Sequence, residues 1–127
     1  MRLLLLSGDL LVTSRVGGVA EPLHISFRSV PSMESLWATW KQFPAELVVV
    51  DLTLAGVDVE AVTEWARSLH AHVEVIAFGP HVHLKKLELA EQAGCDRVYV
   101  RGEFISQMQA ILLRTASMRT NDEPRME

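Results

Sequence analysis

The chain has 127 residues, of which 49% are hydrophobic and 22% are charged, a balance that predicts one globular domain and excludes an intrinsically disordered chain. The formal net charge of -4 argues against a nucleic-acid-binding surface, since neutralising phosphates requires clustered Lys and Arg. The single cysteine, Cys95, excludes an internal disulfide and fits a reducing compartment. The first apolar run stops at Ser7-Gly8-Asp9, too early for a signal peptide, and no segment has the length of a membrane span, so we expect a cytoplasmic protein.

The first half of the chain alternates short apolar runs with helical patterns. Arg2–Leu6 is predicted as a strand and residues 10–23 as a helix. Residues 24–30 alternate polar and apolar side chains, which predicts a half-buried edge strand. Ser32 is placed to cap a second helix. That helix has four residues on one apolar face: Met33, Leu36, Trp37 and Trp40.

The second half of the chain repeats the same alternation. Three further pairs of strand and helix are predicted: 47–50 with 57–69, 73–78 with 84–93, and 97–100 with 103–118. Residues 120–127 are polar and are predicted as a frayed tail, which leaves residues 1–119 as a single domain.

Five strand–helix units in succession predict an α/β fold with a parallel sheet, helices on both faces and right-handed crossovers. Two architectures compete at this length. One is a flavodoxin-like three-layer αβα sandwich with strand order 2-1-3-4-5, and the other is half of a dinucleotide-binding fold.

Four residues follow the carboxyl ends of strands that meet at one rim of such a sheet, where open α/β folds place their ligands. They are Asp9, Asp51, Gly79 and Arg101. Two nearby carboxylates, Asp9 and Asp51, can hold Mg²⁺, and a guanidinium opposite them can balance the charge of a phosphoryl group. The alternative is that Arg101 only neutralises the rim carboxylates, since structural ion pairs are common.

The order and spacing of these segments resemble the receiver domain of bacterial two-component response regulators, the CheY-like family. Residues 51–58, Asp-Leu-Thr-Leu-Ala-Gly-Val-Asp, are similar to the family's Asp-Leu-x-Leu-Pro-Gly-Met-Asp loop. Residues 93–96, Ala-Gly-Cys-Asp, precede a fifth strand and Arg101-Gly102, and resemble the family's Ala-Gly-Ala-Asp, strand and Lys-Pro. The resemblance covers residues 1–119. It implies that Asp51 is the phosphoacceptor position of a non-enzymatic signalling module.

Three departures from the family pattern affect this rim. The family's acidic pair falls on Ser7-Gly8 or on Gly8-Asp9, so at most Asp9 survives and the Mg²⁺ site is weak or absent. The hydroxyl residue that ends strand four falls near Gly79, and no Ser or Thr occurs between Ser68 and Ser106. The family's lysine is replaced by Arg101, a planar fork rather than a compact ammonium.

These departures predict a degenerate receiver, or pseudo-receiver, that needs no cofactor and acts by protein contact without the usual phosphorylation switch. The resemblance implies a kinase or an output protein as partner, and a homodimer through the face formed by helix 4, strand 5 and helix 5. We expect no nucleic-acid or membrane partner.

Two other functions stay open from the sequence. The first is a genuine Mg²⁺-dependent phosphoacceptor that uses Asp51 together with Asp9. The second is a small nucleotide-binding or hydrolytic α/β domain with Asp51 as a catalytic acid. The lack of a glycine-rich phosphate loop and of a Walker lysine disfavours the second.

Overall fold

The computed structural model describes residues 1–69 and 72–122, and the side chains of residues 1–69 and 72–117. The elements in chain order are β1 Arg2–Leu6, α1 Leu10–Ala20, β2 Ser26–Val30, α2 Met33–Trp40, β3 Leu47–Asp51, α3 Val59–Ser68, β4 Glu74–Gly79, α4 Leu84–Gln92, β5 Arg97–Val100, α5 Arg101–Ser106 and α6 Met108–Asp122. The strands form one parallel sheet in the order β2-β1-β3-β4-β5, so the predicted flavodoxin-like fold is confirmed. None of the described helices is long and apolar enough to cross a membrane.

The central strands are buried on both faces, which explains why they are almost continuously apolar. All five residues of β3 and all six of β4 are buried. Alternate side chains enter different cores because successive residues of a strand point to opposite faces. Leu4 and Leu6 pack with α2, α3 and α4, while Leu3 and Leu5 pack with α1, α5 and α6.

Several element boundaries differ from the sequence prediction by a few residues, and local backbone chemistry explains them. The second strand begins at Ser26 rather than at residue 24, because His24 has a φ of 58° and lies outside extended geometry. The third helix begins at Val59, because the Asp58 side chain caps it by accepting a 3.0 Å hydrogen bond from the Ala61 N–H. The fourth helix ends at Gln92, shortly before Gly94, which has a φ of 96°, a backbone conformation that glycine adopts most easily.

The last predicted helix is in fact two helices. Helix α5 starts at Arg101, directly after β5, and the backbone departs from helical geometry at Gln107 (φ -106°, ψ 12°) before α6 begins. Phe104 and Met108 flank this break and are both buried, so their apolar spacing is the same as in an unbroken helix. Helix α6 extends to Asp122, within the segment predicted as a polar tail, and residues 123–127 lie outside the described part of the chain.

Candidate functional site

Asp51 is the last residue of β3, and its carboxylate is enclosed by hydrogen-bond donors. Its side chain lies at the carboxyl rim but is buried, with 1% of its surface exposed. The Ser7 hydroxyl donates to Oδ2 at 2.7 Å. The Thr53 N–H and hydroxyl donate to Oδ1 at 3.0 Å and 2.6 Å. Both oxygens of the carboxylate are therefore already bonded within the chain.

The sheet and the following turn bring these donors to Asp51. Leu6 of β1 lies opposite Val50 of β3, so the next residue, Ser7, reaches the side of Asp51. Ser7 is itself buried and is held by a 3.1 Å hydrogen bond from its N–H to the Val30 carbonyl of the other neighbouring strand. Thr53 follows two residues after Asp51, the spacing at which an aspartate side chain accepts from the backbone of its own turn.

Asp9 has a structural role at the start of α1. Its Oδ1 accepts hydrogen bonds from the N–H groups of Leu11 at 2.9 Å and Val12 at 3.3 Å, and so caps the helix. Its Oδ2 accepts from Arg101 Nη2 at 2.7 Å. The Arg101 guanidinium, together with the capped amides, lowers the pKa of the Asp9 carboxyl below its ordinary value.

A hydrogen-bonded chain links the two rim carboxylates. The Asp9 N–H donates to Ser7 Oγ at 3.1 Å, and that hydroxyl donates to Asp51. Within the described residues, Arg101 forms its ion pair with Asp9, and no ion pair joins it to Asp51. The predicted rim residues are thus brought together, but Arg101 reaches Asp51 only through Asp9 and Ser7.

Gly79 ends β4 at a position packed with aliphatic side chains. The preceding residue, Phe78, accepts a 2.9 Å hydrogen bond from the Leu52 N–H, which draws the loop after β3 against the end of β4. A Cβ atom on Gly79 would lie 3.3 Å from Leu52 Cβ and 3.6 Å from Leu87 Cδ2. A hydroxyl-bearing side chain at this position therefore requires Leu52 to move.

The two rim carboxylates were predicted as ligands of a weak Mg²⁺ site. Among the described residues, no group of three or more His, Cys, Asp or Glu side chains is placed to hold a metal ion. Asp9 and Asp51 are the acidic residues at the rim, and their carboxylate oxygens are the kind of ligand that Mg²⁺ prefers. A cation at this position would share the Asp9 carboxylate with Arg101 and the α1 amides, and the Asp51 carboxylate with the donors that it already accepts from.

The same rim carries exposed aliphatic side chains, which we call the apolar rim. These residues lie in the segments that follow β1 and β4, and their exposed fractions range from 64% to 83%. They are Leu10, Leu11, Val82 and Leu84. Leu10 and Leu11 begin α1 on one face of the sheet, whereas Val82 and Leu84 lie just before and at the start of α4 on the other face, so each pair is a small exposed apolar surface at the same rim.

Sequence reasoning missed the contacts that Ser7 and Thr53 make with Asp51. The sequence indicated the Thr53 contact, because an aspartate side chain in a turn commonly accepts a hydrogen bond from the backbone two residues later. Ser7 stood out only as a position where the family has an acid. Its bond to Asp51 joins residues 44 positions apart and becomes visible only when the strands are paired.

Comparisons with known proteins find likeness in structure alone. No family model matches the sequence, and no curated protein matches it. The receiver domain of NtrX from Brucella abortus superposes with a TM-score of 0.76 at 16% identity, covering 91% of this chain and 98% of that one. A receiver domain from Bermanella marisrubri gives 0.78 at 14% identity, covering 91% and 97%.

A third similar structure contains a bound metal ion. The receiver domain of the sensor histidine kinase PA1611 from Pseudomonas aeruginosa, which has a magnesium ion coordinated in its active-site cleft, superposes with a TM-score of 0.75 at 17% identity. It covers 91% of this chain and 97% of that one. The resemblance to response-regulator receiver domains is therefore confirmed at the level of the fold.

Proposed function

We propose that this protein is a receiver-like module of a two-component-type signalling system that acts by protein contact, without a phosphorylation switch at Asp51. One observation carries the proposal: the Asp51 carboxylate is buried, and both its oxygens accept hydrogen bonds from Ser7 and Thr53. An aspartate that accepts a phosphoryl group must present an oxygen to the donor in line with the leaving group. The bonds from Ser7 and Thr53 oppose that approach.

The surroundings of Asp51 support the same conclusion. Phosphoryl transfer depends on cations that neutralise the charge developing on the transferred group. Asp9 is the remaining acid of the predicted cation site, and it is bonded to Arg101 and to the α1 amides. At the end of β4, Leu52 and Leu87 fill the space beside Gly79, where the family has the hydroxyl that bonds the phosphoryl group.

The partner is proposed to be a protein, either a kinase or an output protein. The apolar rim offers desolvation energy for such a contact, while the net charge of -4 disfavours nucleic acid. Contact through the face formed by α4, β5 and the α5–α6 helices would also allow a homodimer. The proposed module has no enzymatic activity, binds no membrane and works in the cytoplasm.

A genuine Mg²⁺-dependent phosphoacceptor is the second candidate. Asp51 stands at the carboxyl end of the central strand β3, and the PA1611 receiver of the same fold coordinates magnesium in its cleft. This function would bring a cation beside Asp9, which already forms an ion pair with Arg101. A nucleotide-binding domain is less well supported, because the Asp9 carboxylate occupies the α1 amides to which a phosphate group would bind.

Incubation with acetyl phosphate or beryllofluoride in the presence of Mg²⁺ tests the proposal. We expect mass spectrometry to show no stable adduct, and two-dimensional NMR to show no shifts that spread from Asp51 to α4. Asp51→Asn serves as the matched control, and an active receiver domain treated in parallel shows that the reagents work. A stoichiometric adduct that is absent from Asp51→Asn would establish the second candidate instead.

A further inference from the structure

An open groove lies between the start of α3 and α4. It has a volume of about 550 Å³ and is lined by residues 52–58 of the loop after β3, by Val59 and Glu60 at the start of α3, and by Lys86 and Leu89 of α4. We call it the α3–α4 groove. Its apolar lining comes mainly from five aliphatic side chains: Leu52, Leu54, Val57, Val59 and Leu89. Leu89 is half exposed, at 51%, although it stands beside this apolar surface.

The two walls of the groove carry opposite charges that the monomer does not use. Glu60 lies on the α3 wall and Lys86 on the α4 wall. Both side chains are exposed, and neither forms an ion pair or a side-chain hydrogen bond within the described residues. Each also stands in the first turn of its helix.

The topology places these charges at the same height along the groove. Helices α3 and α4 each lead from one parallel strand to the next position in the sheet, and both pack into the same core. They therefore run in the same direction. Glu60 and Lys86 are thus on opposite walls near the same end of the groove.

We propose that this groove binds a second copy of the chain. A two-fold axis that runs along the groove, parallel to both helices, places α3 of each copy over α4 of the other. Each Glu60 then meets the Lys86 of the partner copy, and the apolar linings with Leu89 face each other. A two-fold contact requires a self-complementary surface, and an acidic wall beside a basic wall provides one.

This surface differs from the dimer face that the family resemblance implies. Leu84 also lies on α4, but it is five residues before Leu89 and does not line the groove. Substitutions at Leu84 and at Leu89 therefore test different sides of the same helix. The inference does not rest on the chemistry of Asp51, so the phosphorylation experiment and the one below can fail independently.

Sedimentation velocity of the full chain over a range of concentrations tests the inference. We expect a reversible dimer. Lys86→Glu and Glu60→Lys should each weaken it by about tenfold or more, because the symmetry places two like-charge pairs in each homodimer. The effect should shrink at high salt. Lys85→Glu on α4 and Glu34→Lys in the first turn of α2 repeat the charge changes outside the groove and should leave the dissociation constant unchanged.

A mixing experiment gives the sharpest test. When Lys86→Glu and Glu60→Lys chains are combined, both interface pairs become complementary again, so a heterodimer should form from two variants that each dimerise poorly. Leu89→Asp should abolish the dimer, while Leu113→Asp, an exposed leucine of α6, should not. A wild-type chain that stays monomeric, a mixture without heterodimer, or a dimer broken by Leu84→Asp but not by Lys86→Glu would each overturn the inference.

Discussion

Replacing Ser7 by alanine tests whether hydroxyl groups hold the Asp51 carboxylate in the fold. Ser7 is buried, and its hydroxyl is the sole donor to Asp51 Oδ2 among the described residues. Ser7 Oγ also accepts a hydrogen bond from the Asp9 N–H, so Ser7→Ala removes two hydrogen bonds by deleting one atom. Alanine fits the vacated space, and the change is therefore one of hydrogen bonding rather than packing.

The expected loss follows from the kind of bond. A hydrogen bond to a charged group contributes roughly 1.5–3 kcal/mol, whereas a bond between neutral groups contributes about 1 kcal/mol. Thr53 still donates two bonds to Asp51 Oδ1, which limits the penalty for the buried carboxylate. We therefore expect Ser7→Ala to lower the free energy of unfolding by about 2–3 kcal/mol, or the Tm by about 6–12 °C.

Urea unfolding followed by tryptophan fluorescence measures this loss. All three tryptophans form one cluster, with Trp37 and Trp40 each packed edge-on against Trp65 at 4.8 Å between ring centroids. Ser29→Ala, at an exposed serine of β2, should change the free energy by less than about 0.5 kcal/mol. A Ser7→Ala protein as stable as the Ser29→Ala control would refute the reasoning. So would a double-mutant cycle with Asp51→Asn that shows no coupling.

Three further outcomes follow from the same geometry. Gly79→Ser should lower the free energy of unfolding by about 1–3 kcal/mol in thermal unfolding, because the added Cβ atom crowds Leu52. Gly102→Ser is the control, because a Cβ atom added there has no other heavy atom within 4 Å and causes no overpacking. The pKa of Asp9 is lower in the folded protein than in the unfolded chain, so the ionised Asp9 carboxylate stabilises the fold fully above its unfolded-state pKa, and this stabilisation is lost as the pH falls through its folded-state pKa. Asp9→Asn should therefore lower the free energy of unfolding at pH 7 and reduce the further loss of stability that is measured below about pH 4. Burial raises the pKa of Cys95 to about 11, so iodoacetamide at pH 8 should label it far more slowly in the native protein than in urea, and equal rates would contradict this.

The sequence predicted the strands best where their signal is local. The limits of β1 and β5 agree with the structure, because short apolar runs bounded by turn residues need no tertiary information. The boundaries that differ depend on single backbone conformations, such as the positive φ of His24. The break at Gln107 was missed because the apolar spacing continues across it.

The residues of the rim were also predictable, but their bonds were not. Asp9, Asp51, Gly79 and Arg101 follow strand ends, and parallel topology alone brings strand ends together. The sequence left open whether Arg101 would balance the charge of a phosphoryl group or neutralise the two rim carboxylates. The bond it forms joins residues 92 positions apart, and its choice depends on α1 starting at Leu10 and α5 starting at Arg101.

The sequence by itself determined the alternation of strands and helices and the position of Asp51 at the end of a buried strand. Periodicity and apolar runs encode these features locally. The tertiary structure decided that Ser7 and Thr53 enclose Asp51, that Arg101 pairs with Asp9, and that Glu60 and Lys86 line the same groove. These contacts depend on side chains from separate elements meeting at fixed distances, and only the packed sheet and helices set those distances.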